Sequence, residues 1–96
     1  MTELTSIKQT LTQLKPELTR KYYVNSIGLF GSVVRADYNN SSDIDIIVDF
    51  SKPIGIEFID LADFIESKLR KKVDLVSRNG VKAKYFLQIE PEIIYV

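Results

Sequence analysis

The chain has 96 residues, of which 45% are hydrophobic and 27% are charged, as in one globular domain near the lower end of domain sizes. Its 13 basic and 13 acidic residues give a formal net charge of zero, so no direct binding to nucleic acid is expected from the charge. Cysteine and histidine are both absent, which excludes disulfides and metal sites with thiolate or imidazole ligands. The sequence has no signal-peptide pattern and no run approaching about 18 apolar residues, so we predict a cytoplasmic protein without a membrane span.

The first half of the chain predicts a long helix, a strand, a short helix and a second strand. These elements are expected over residues 2–21, 22–30, 32–37 and 43–50, with a polar loop over residues 38–42. The first helix is predicted from apolar residues at spacings of three and four. Pro16 predicts either a kink there or a division into two short helices. The first strand ends at Gly31, where the chain must turn.

The second half predicts a long helix, a third strand, a last helix and an edge strand. These are expected over residues 54–71, 72–77, 81–91 and 93–96. Because helices and strands alternate, the predicted fold class is α/β (α+β), with a small mixed sheet of three to four strands flanked by helices. We predict that residues 1–96 form a single domain.

Two aspartates at the start of the second strand are the first candidate functional residues. Asp43 and Asp45 are two residues apart, so on a strand their carboxylates project from the same face. Two like charges held that close repel each other unless a cation lies between them. Such pairs suit phosphoryl chemistry, in which metal ions bridge carboxylates and phosphate oxygens. A solvated strand end would produce the same pattern.

Gly31 and Ser32 precede this pair by a ten-residue gap, which gives the pattern G-S-x10-D-x-D. Glycine allows torsions and close approaches that other residues resist. Serine at the start of a helix offers a hydroxyl and N–H groups to an anion. An ordinary turn with a serine cap is the alternative for these two residues alone.

Three short segments at fixed separations carry a family resemblance. They are Gly31-Ser32, Asp43-Ile44-Asp45 and Val73-Asp74-Leu75. Together they resemble the polymerase-beta-type nucleotidyltransferase superfamily, and within it the minimal nucleotidyltransferases (MNT, MntA-like). Members of that family are often encoded beside a HEPN-domain partner, as the antitoxin of a toxin–antitoxin pair. The resemblance covers nearly the whole chain and implies a polymerase-beta-like nucleotidyltransferase fold.

The resemblance also implies a role for each residue of the pattern. Gly31 and Ser32 would contact the β- and γ-phosphates of ATP. Asp43 and Asp45 would ligate two Mg²⁺ ions, and Asp74 would complete the catalytic metal site and help to activate an acceptor hydroxyl. The implied reaction is attack on the α-phosphorus with pyrophosphate leaving. The implied acceptor is a tyrosine of a HEPN ribonuclease toxin, which AMP transfer silences.

Several alternatives stay open at this point. Arg35 could reach a phosphate from the turn after Ser32, or form a surface salt bridge, for example to Asp37. Asp49 shares the face of the aspartate pair but lies further along the strand, and we predict a solvated or structural role for it. The chain could also neutralise a partner by binding alone, transfer nucleotide to a small molecule, or form an oligomer with its partner.

Overall fold

The computed structural model describes residues 3–35 and 42–96, which form three α-helices and four strands. The helices are α1 (Glu3–Tyr22), α2 (Glu57–Leu69) and α3 (Ala83–Ile89). The strands are β1 (Val24–Phe30), β2 (Ile44–Phe50), β3 (Val73–Ser77) and β4 (Ile94–Tyr95). Single 3₁₀ turns lie at Gly31–Val33, Arg78–Gly80 and Glu90–Glu92.

Helix α1 is one helix of 20 residues that runs through Pro16, so the predicted division into two short helices is wrong. Ile7 and Leu11 before the proline and Leu18 after it are buried in the core. Their burial holds both halves of α1 in place, although the proline removes one hydrogen bond of the helix. Tyr23 follows the helix with a φ of 58°, in the left-handed region. For this reason β1 begins at residue 24 instead of the predicted residue 22.

The four strands form one sheet in the order β3-β2-β1-β4. Strand β1 is antiparallel to β2 and to β4, whereas β2 and β3 are parallel. The end of β1 therefore lies beside the beginnings of β2 and β3. In that row Asp45 pairs with Phe30 on one side and with Asp74 on the other. The prediction of a small mixed sheet flanked by helices is confirmed.

The two faces of the sheet carry different apolar clusters. The larger one joins residues of α1 and α2 to one face, with Leu29 and Ile46 as fully buried members. The smaller one joins Phe86 and Ile89 to Ile47 and Phe30 on the other face. Because side chains alternate along a strand, residues 45 and 47 share the face on which α3 packs. The half-buried carboxylate of Asp45 thus lies next to the smaller apolar cluster.

Some predicted elements differ from the observed ones at their ends. The helix predicted over residues 32–37 is a single 3₁₀ turn in its described part, and residues 36 and 37 lie outside the described residues, as do residues 38–41 of the predicted loop. Helix α2 is shorter than predicted because Arg70 adopts a left-handed conformation with a φ of 57° and donates its N–H to the Glu66 carbonyl at 2.7 Å. Such a residue ends a helix. Within the described ranges, no helix is long and apolar enough to cross a membrane.

Candidate active site

Gly31 makes the turn at the end of β1, and its backbone requires a glycine. Its φ is +78°, a conformation that costs residues with a Cβ about 1–2 kcal/mol. A Cβ at this position would also run into the carboxylate of Asp45. After the glycine, the N–H groups of Val34 and Arg35 both donate to the Gly31 carbonyl, at 3.0 and 3.1 Å. The turn therefore places the backbone of residue 31 in close contact with the Asp45 carboxylate on β2.

The carboxylates come from two adjacent parallel strands. Asp45 and Asp74 are register partners, so their backbones are about 5 Å apart and their side chains point to the same face. Asp45 is half-buried, whereas Asp74 and Asp43 are exposed. Asp43 lies directly before β2, two residues from Asp45. The structure thus brings Gly31, Asp45 and Asp74 together at one end of the sheet, with Asp43 at the margin.

The charges of these groups act on one another. The pKa of the Asp45 carboxyl is raised to about 6, first by burial and then by the negative charges of Asp74 and Asp43. Arg35 acts in the opposite direction with a smaller effect, and Glu92 adds a further small increase. Burial is thus the main cause of the raised pKa, and the neighbouring carboxylates raise it further against the smaller opposing effect of Arg35.

The raised pKa of Asp45 gives a testable pH dependence of the stability of the metal-free protein. Because the pKa of Asp45 is higher in the folded protein (about 6) than its ordinary value of 3.8, the folded state binds this proton more tightly than the unfolded state. The resulting stabilisation is complete below about pH 4 and is lost as the pH rises through 6. Since the side chain is only partly buried, we expect a loss of about 1 kcal/mol.

Urea unfolding of the wild type and of Asp45→Asn, both in EDTA, measures this effect. Asparagine mimics the protonated acid, so the variant should gain stability relative to the wild type between pH 4.5 and pH 7. The other titrating groups are the same in both proteins and cancel in the comparison. An equal stability difference at the two pH values would show that the folded protein does not hold this proton.

Ser32 and Arg35 complete the set predicted from the sequence. Ser32 is half-buried and follows Gly31 in the 3₁₀ turn. Arg35 is exposed, and its Nη1 donates to the carboxylate of Glu92 at 3.1 Å. A salt bridge is thus observed for Arg35, with Glu92 as its partner; the suggested partner Asp37 lies outside the described residues.

Glu92 is the residue that the sequence did not reveal. Its Oε2 accepts the N–H of Gly31 at 2.8 Å as well as the Arg35 guanidinium. The two partners are 61 and 57 positions away in the chain, so no local spacing could have indicated them. The signal that exists is the apolar run after Glu92, which predicts an edge strand. Once β4 is paired with β1, the register brings Glu92 to the level of Gly31.

Asp49 lies on the same face as Asp45 but at the far end of β2. It pairs with Ser26 in the β1–β2 register and accepts a long hydrogen bond of 3.4 Å from the Asn25 amide. The structure therefore separates Asp49 from the carboxylates near Gly31. This position agrees with the structural role predicted for it and makes it a matched control for Asp45.

The oxygen ligands at this end of the sheet suit a hard divalent cation, although they are not gathered into one cluster. Among residues 3–35 and 42–96, no group of three or more acidic side chains stands close enough together to hold a metal ion. Asp45 and Asp74 are nevertheless strand partners, and the repulsion that raises the pKa of Asp45 is the kind that a bound cation relieves. The residues fit Mg²⁺ in ligand type and charge, and rotation of their side chains would have to draw them together.

Comparison with known proteins gives the family. The chain matches the model of the nucleotidyltransferase domain over residues 11–94. It is 38% identical to the protein adenylyltransferase MntA of Thermococcus cleftensis, with 100% of this chain and 98% of that protein covered. It is also 39% identical to a candidate protein adenylyltransferase of Methanocaldococcus jannaschii, with both chains covered completely.

Solved structures agree with this assignment. A candidate minimal nucleotidyltransferase superimposes with a TM-score of 0.79 at 26% identity, covering 98% of this chain and 95% of that one. A chain of a toxin–antitoxin complex with AMP-PNP gives 0.72 at 27% identity, with 86% and 69% covered. A chain of the complex between the tri-AMPylated Shewanella oneidensis HEPN toxin and its MNT antitoxin gives 0.61 at 26% identity, with 97% and 67% covered.

The predicted fold and enzyme class are confirmed by these similarities, because the match to both relatives and to the minimal nucleotidyltransferase structure extends over nearly the full length of both chains. The chain belongs to the nucleotidyltransferase-domain family, and within it to the minimal, MntA-like nucleotidyltransferases.

Proposed function

We propose that this nucleotidyltransferase transfers AMP from ATP to a hydroxyl group of a HEPN-domain toxin, and that it acts as the antitoxin of that protein. The observation that carries the proposal is the meeting of the Gly31 turn with the carboxylates of Asp45 and Asp74 at one end of the sheet. The relatives named as protein adenylyltransferases and the neighbours in complexes with AMP-PNP or an AMPylated toxin support it. Residues 1–96 would act as one domain.

The proposed reaction exchanges a phosphoanhydride bond of ATP for a phosphodiester bond to the acceptor. The acceptor oxygen attacks the α-phosphorus of ATP, and the bond from that phosphorus to the pyrophosphate breaks as the new bond forms. Asp74 is suited to take the proton of the acceptor hydroxyl, because it is exposed at the edge of the site where an incoming side chain can reach it. Gly31 and Ser32 would hold the β- and γ-phosphates through backbone N–H groups and the serine hydroxyl.

A divalent metal completes this proposal. Asp43, Asp45 and Asp74 would ligate Mg²⁺, which would neutralise charge on the phosphate oxygens. A tyrosine is the proposed acceptor, since its hydroxyl extends far from the partner's backbone and can reach a site near the surface of a small protein. Transfer should therefore stop in EDTA and return with added Mg²⁺.

Intact-mass analysis of the HEPN-domain protein encoded beside this chain tests the function. After incubation with the chain, ATP and Mg²⁺, we expect the partner to gain whole multiples of the mass of an AMP residue. Label on the α-phosphate should appear in the partner, whereas label on the γ-phosphate should leave with pyrophosphate. An unmodified partner, with both proteins folded and Mg²⁺ present, would sink the proposal.

Neutralisation by complex formation alone is the second candidate. Large apolar side chains of α2 and its N-terminal end favour it, because Ile56 and Ile59 are 75% and 61% exposed. Apolar groups left in water at such exposure are suited to contact with another protein. If a variant with both Asp43→Asn and Asp45→Asn still silenced the partner at equal stoichiometry, binding would be sufficient and AMP transfer would be secondary.

A further inference from the structure

The carboxylate of Glu92 is bound to two groups of the proposed phosphate site. It accepts the backbone N–H of Gly31 at 2.8 Å and the Arg35 guanidinium at 3.1 Å, both through Oε2. These are the donors that a β- or γ-phosphate would use, because a phosphate oxygen and a carboxylate oxygen accept the same hydrogen bonds. In the structure, the carboxylate of Glu92 thus occupies the position that a phosphate oxygen would take.

The register of the C-terminal strand explains how Glu92 reaches this position. Tyr95 pairs with Gly28 and Ile94 with Leu29, and continuing the antiparallel pairing by two residues places Glu92 opposite Gly31. Glu92 ends the 3₁₀ turn Glu90–Glu92 just before β4, and the side chain of Ile93 after it packs against Gly28, where a Cβ would lie 2.6 Å from its Cγ2. The β1–β4 pairing, which starts two residues after Glu92, thus brings Glu92 to the level of the Gly31 turn.

Only the side chain of Glu92 needs to move for the N–H of Gly31 to become available to another acceptor. Its side chain is 26% exposed, so one side of it already faces water. Glutamate has three rotatable side-chain bonds, and rotating them can carry the carboxylate into solvent without disturbing β4. The N–H of Gly31 would then be available to another anion, and Arg35 would lose its contact with Glu92.

We propose that Glu92 is an internal competitor for the triphosphate, whose carboxylate occupies the phosphate donors in the nucleotide-free protein and must leave when phosphate binds. This inference rests on the proposed function, which takes Gly31 as a phosphate ligand, and it adds Arg35 as a second one. Two anions cannot share one N–H donor at close range without strong repulsion. While no phosphate is bound, the carboxylate satisfies the buried N–H of Gly31, which would otherwise be left without an acceptor.

A purely structural role makes the opposite prediction. If Glu92 served only to tie the C-terminal segment to the Gly31 turn, removing its charge would loosen the turn and weaken phosphate binding. If it competes with phosphate, removing the charge should strengthen phosphate binding, even when the protein becomes less stable. The sign of the change in affinity therefore separates the two roles.

Tripolyphosphate with Mg²⁺ is the probe, and titration calorimetry measures its dissociation constant. We expect Glu92→Gln to bind it about tenfold more tightly than the wild type, because the glutamine lacks the repelling charge. Glu90→Gln is the matched control: Glu90 is exposed in the same 3₁₀ turn and should leave the affinity unchanged. Glu92→Ala, which removes the acceptor altogether, should bind at least as tightly as Glu92→Gln.

Tripolyphosphate has no AMP to transfer, so its binding tests the competition separately from the AMP transfer. Unchanged or weaker binding by both Glu92 variants, shown to be folded by circular dichroism, would overturn the competition while the proposed AMP transfer stood. Tighter binding without AMP transfer to the partner would support the competition and refute the transfer. A wild type and variants that all fail to bind the probe would overturn the competition, and the intact-mass measurement would still decide the transfer.

Discussion

Replacing Asp45 with asparagine is expected to lower the rate of AMP transfer by about 10²- to 10³-fold without unfolding the protein. Asp45 is the half-buried one of the three aspartates and lies between the Gly31 turn and Asp74. In the proposed function its charge holds a cation beside the triphosphate, and asparagine keeps the shape but removes the charge. The measurement is the initial rate at which α-labelled AMP enters the partner, at saturating ATP and Mg²⁺.

Asp49→Asn provides the control for this variant. Asp49 is on the same strand and the same face, but it is at the far end of β2 beside Asn25. The exchange is chemically identical, so a general effect of removing one negative charge from β2 would appear in both variants. We expect the transfer rate of Asp49→Asn to equal that of the wild type. Equal rates for Asp45→Asn and the wild type would show that the charge of residue 45 is not used.

The Asp45 variant should also be slightly more stable than the wild type at neutral pH. The wild type holds an ionised carboxylate against burial and the charges of Asp74 and Asp43, and the variant is relieved of that repulsion. When removing a charge from an enzyme site makes the protein more stable, the charge is unfavourable for folding and is kept for its function. Loss of transfer combined with a gain in stability would distinguish a functional aspartate from a structural one.

The candidate site could be predicted from the sequence where its parts are local. Gly31 and Ser32 are adjacent, and Asp43 and Asp45 share a strand face, so their relation follows from backbone geometry alone. The place of Asp74 depends on the pairing of β2 with β3, but the family resemblance supplied it. The order of helices and strands was also predictable, because the apolar periodicity of each element agrees with its burial.

Other features depend on tertiary contacts that the sequence does not encode locally. The continuity of α1 through Pro16 depends on burial of residues on both sides of the proline, which outweighs the local preference to break. The predicted helix after Gly31 shrinks to a 3₁₀ turn in its described part, since the left-handed Gly31 and the close carboxylate of Asp45 fix the chain there. Glu92 joins the site through the β1–β4 register, a long-range pairing with no local pattern.

Replacing Gly31 with alanine is expected to lower the free energy of unfolding by about 2 kcal/mol, or roughly 10 °C in melting temperature. Part of this cost is the left-handed backbone, and the rest is the contact between the new methyl group and the Asp45 carboxylate. If the alanine keeps the backbone in place, Asp45 must rotate away. If the backbone relaxes instead, the N–H that donates to the Glu92 carboxylate is turned aside. Either response damages the site, so tripolyphosphate binding should be lost together with AMP transfer.

Gly55→Ala is the matched control for this substitution. The nearest atom to a Cβ at residue 55 is Oε2 of Glu57 at 3.8 Å, an ordinary van der Waals contact. Thermal unfolding and tripolyphosphate titration of both variants separate the effects on stability and on binding. A Gly31→Ala protein that melted like Gly55→Ala and still bound the probe would show that the turn tolerates a side chain. The close approach of Gly31 to Asp45 would then have no part in phosphate binding, and the donors would have to lie elsewhere in the turn.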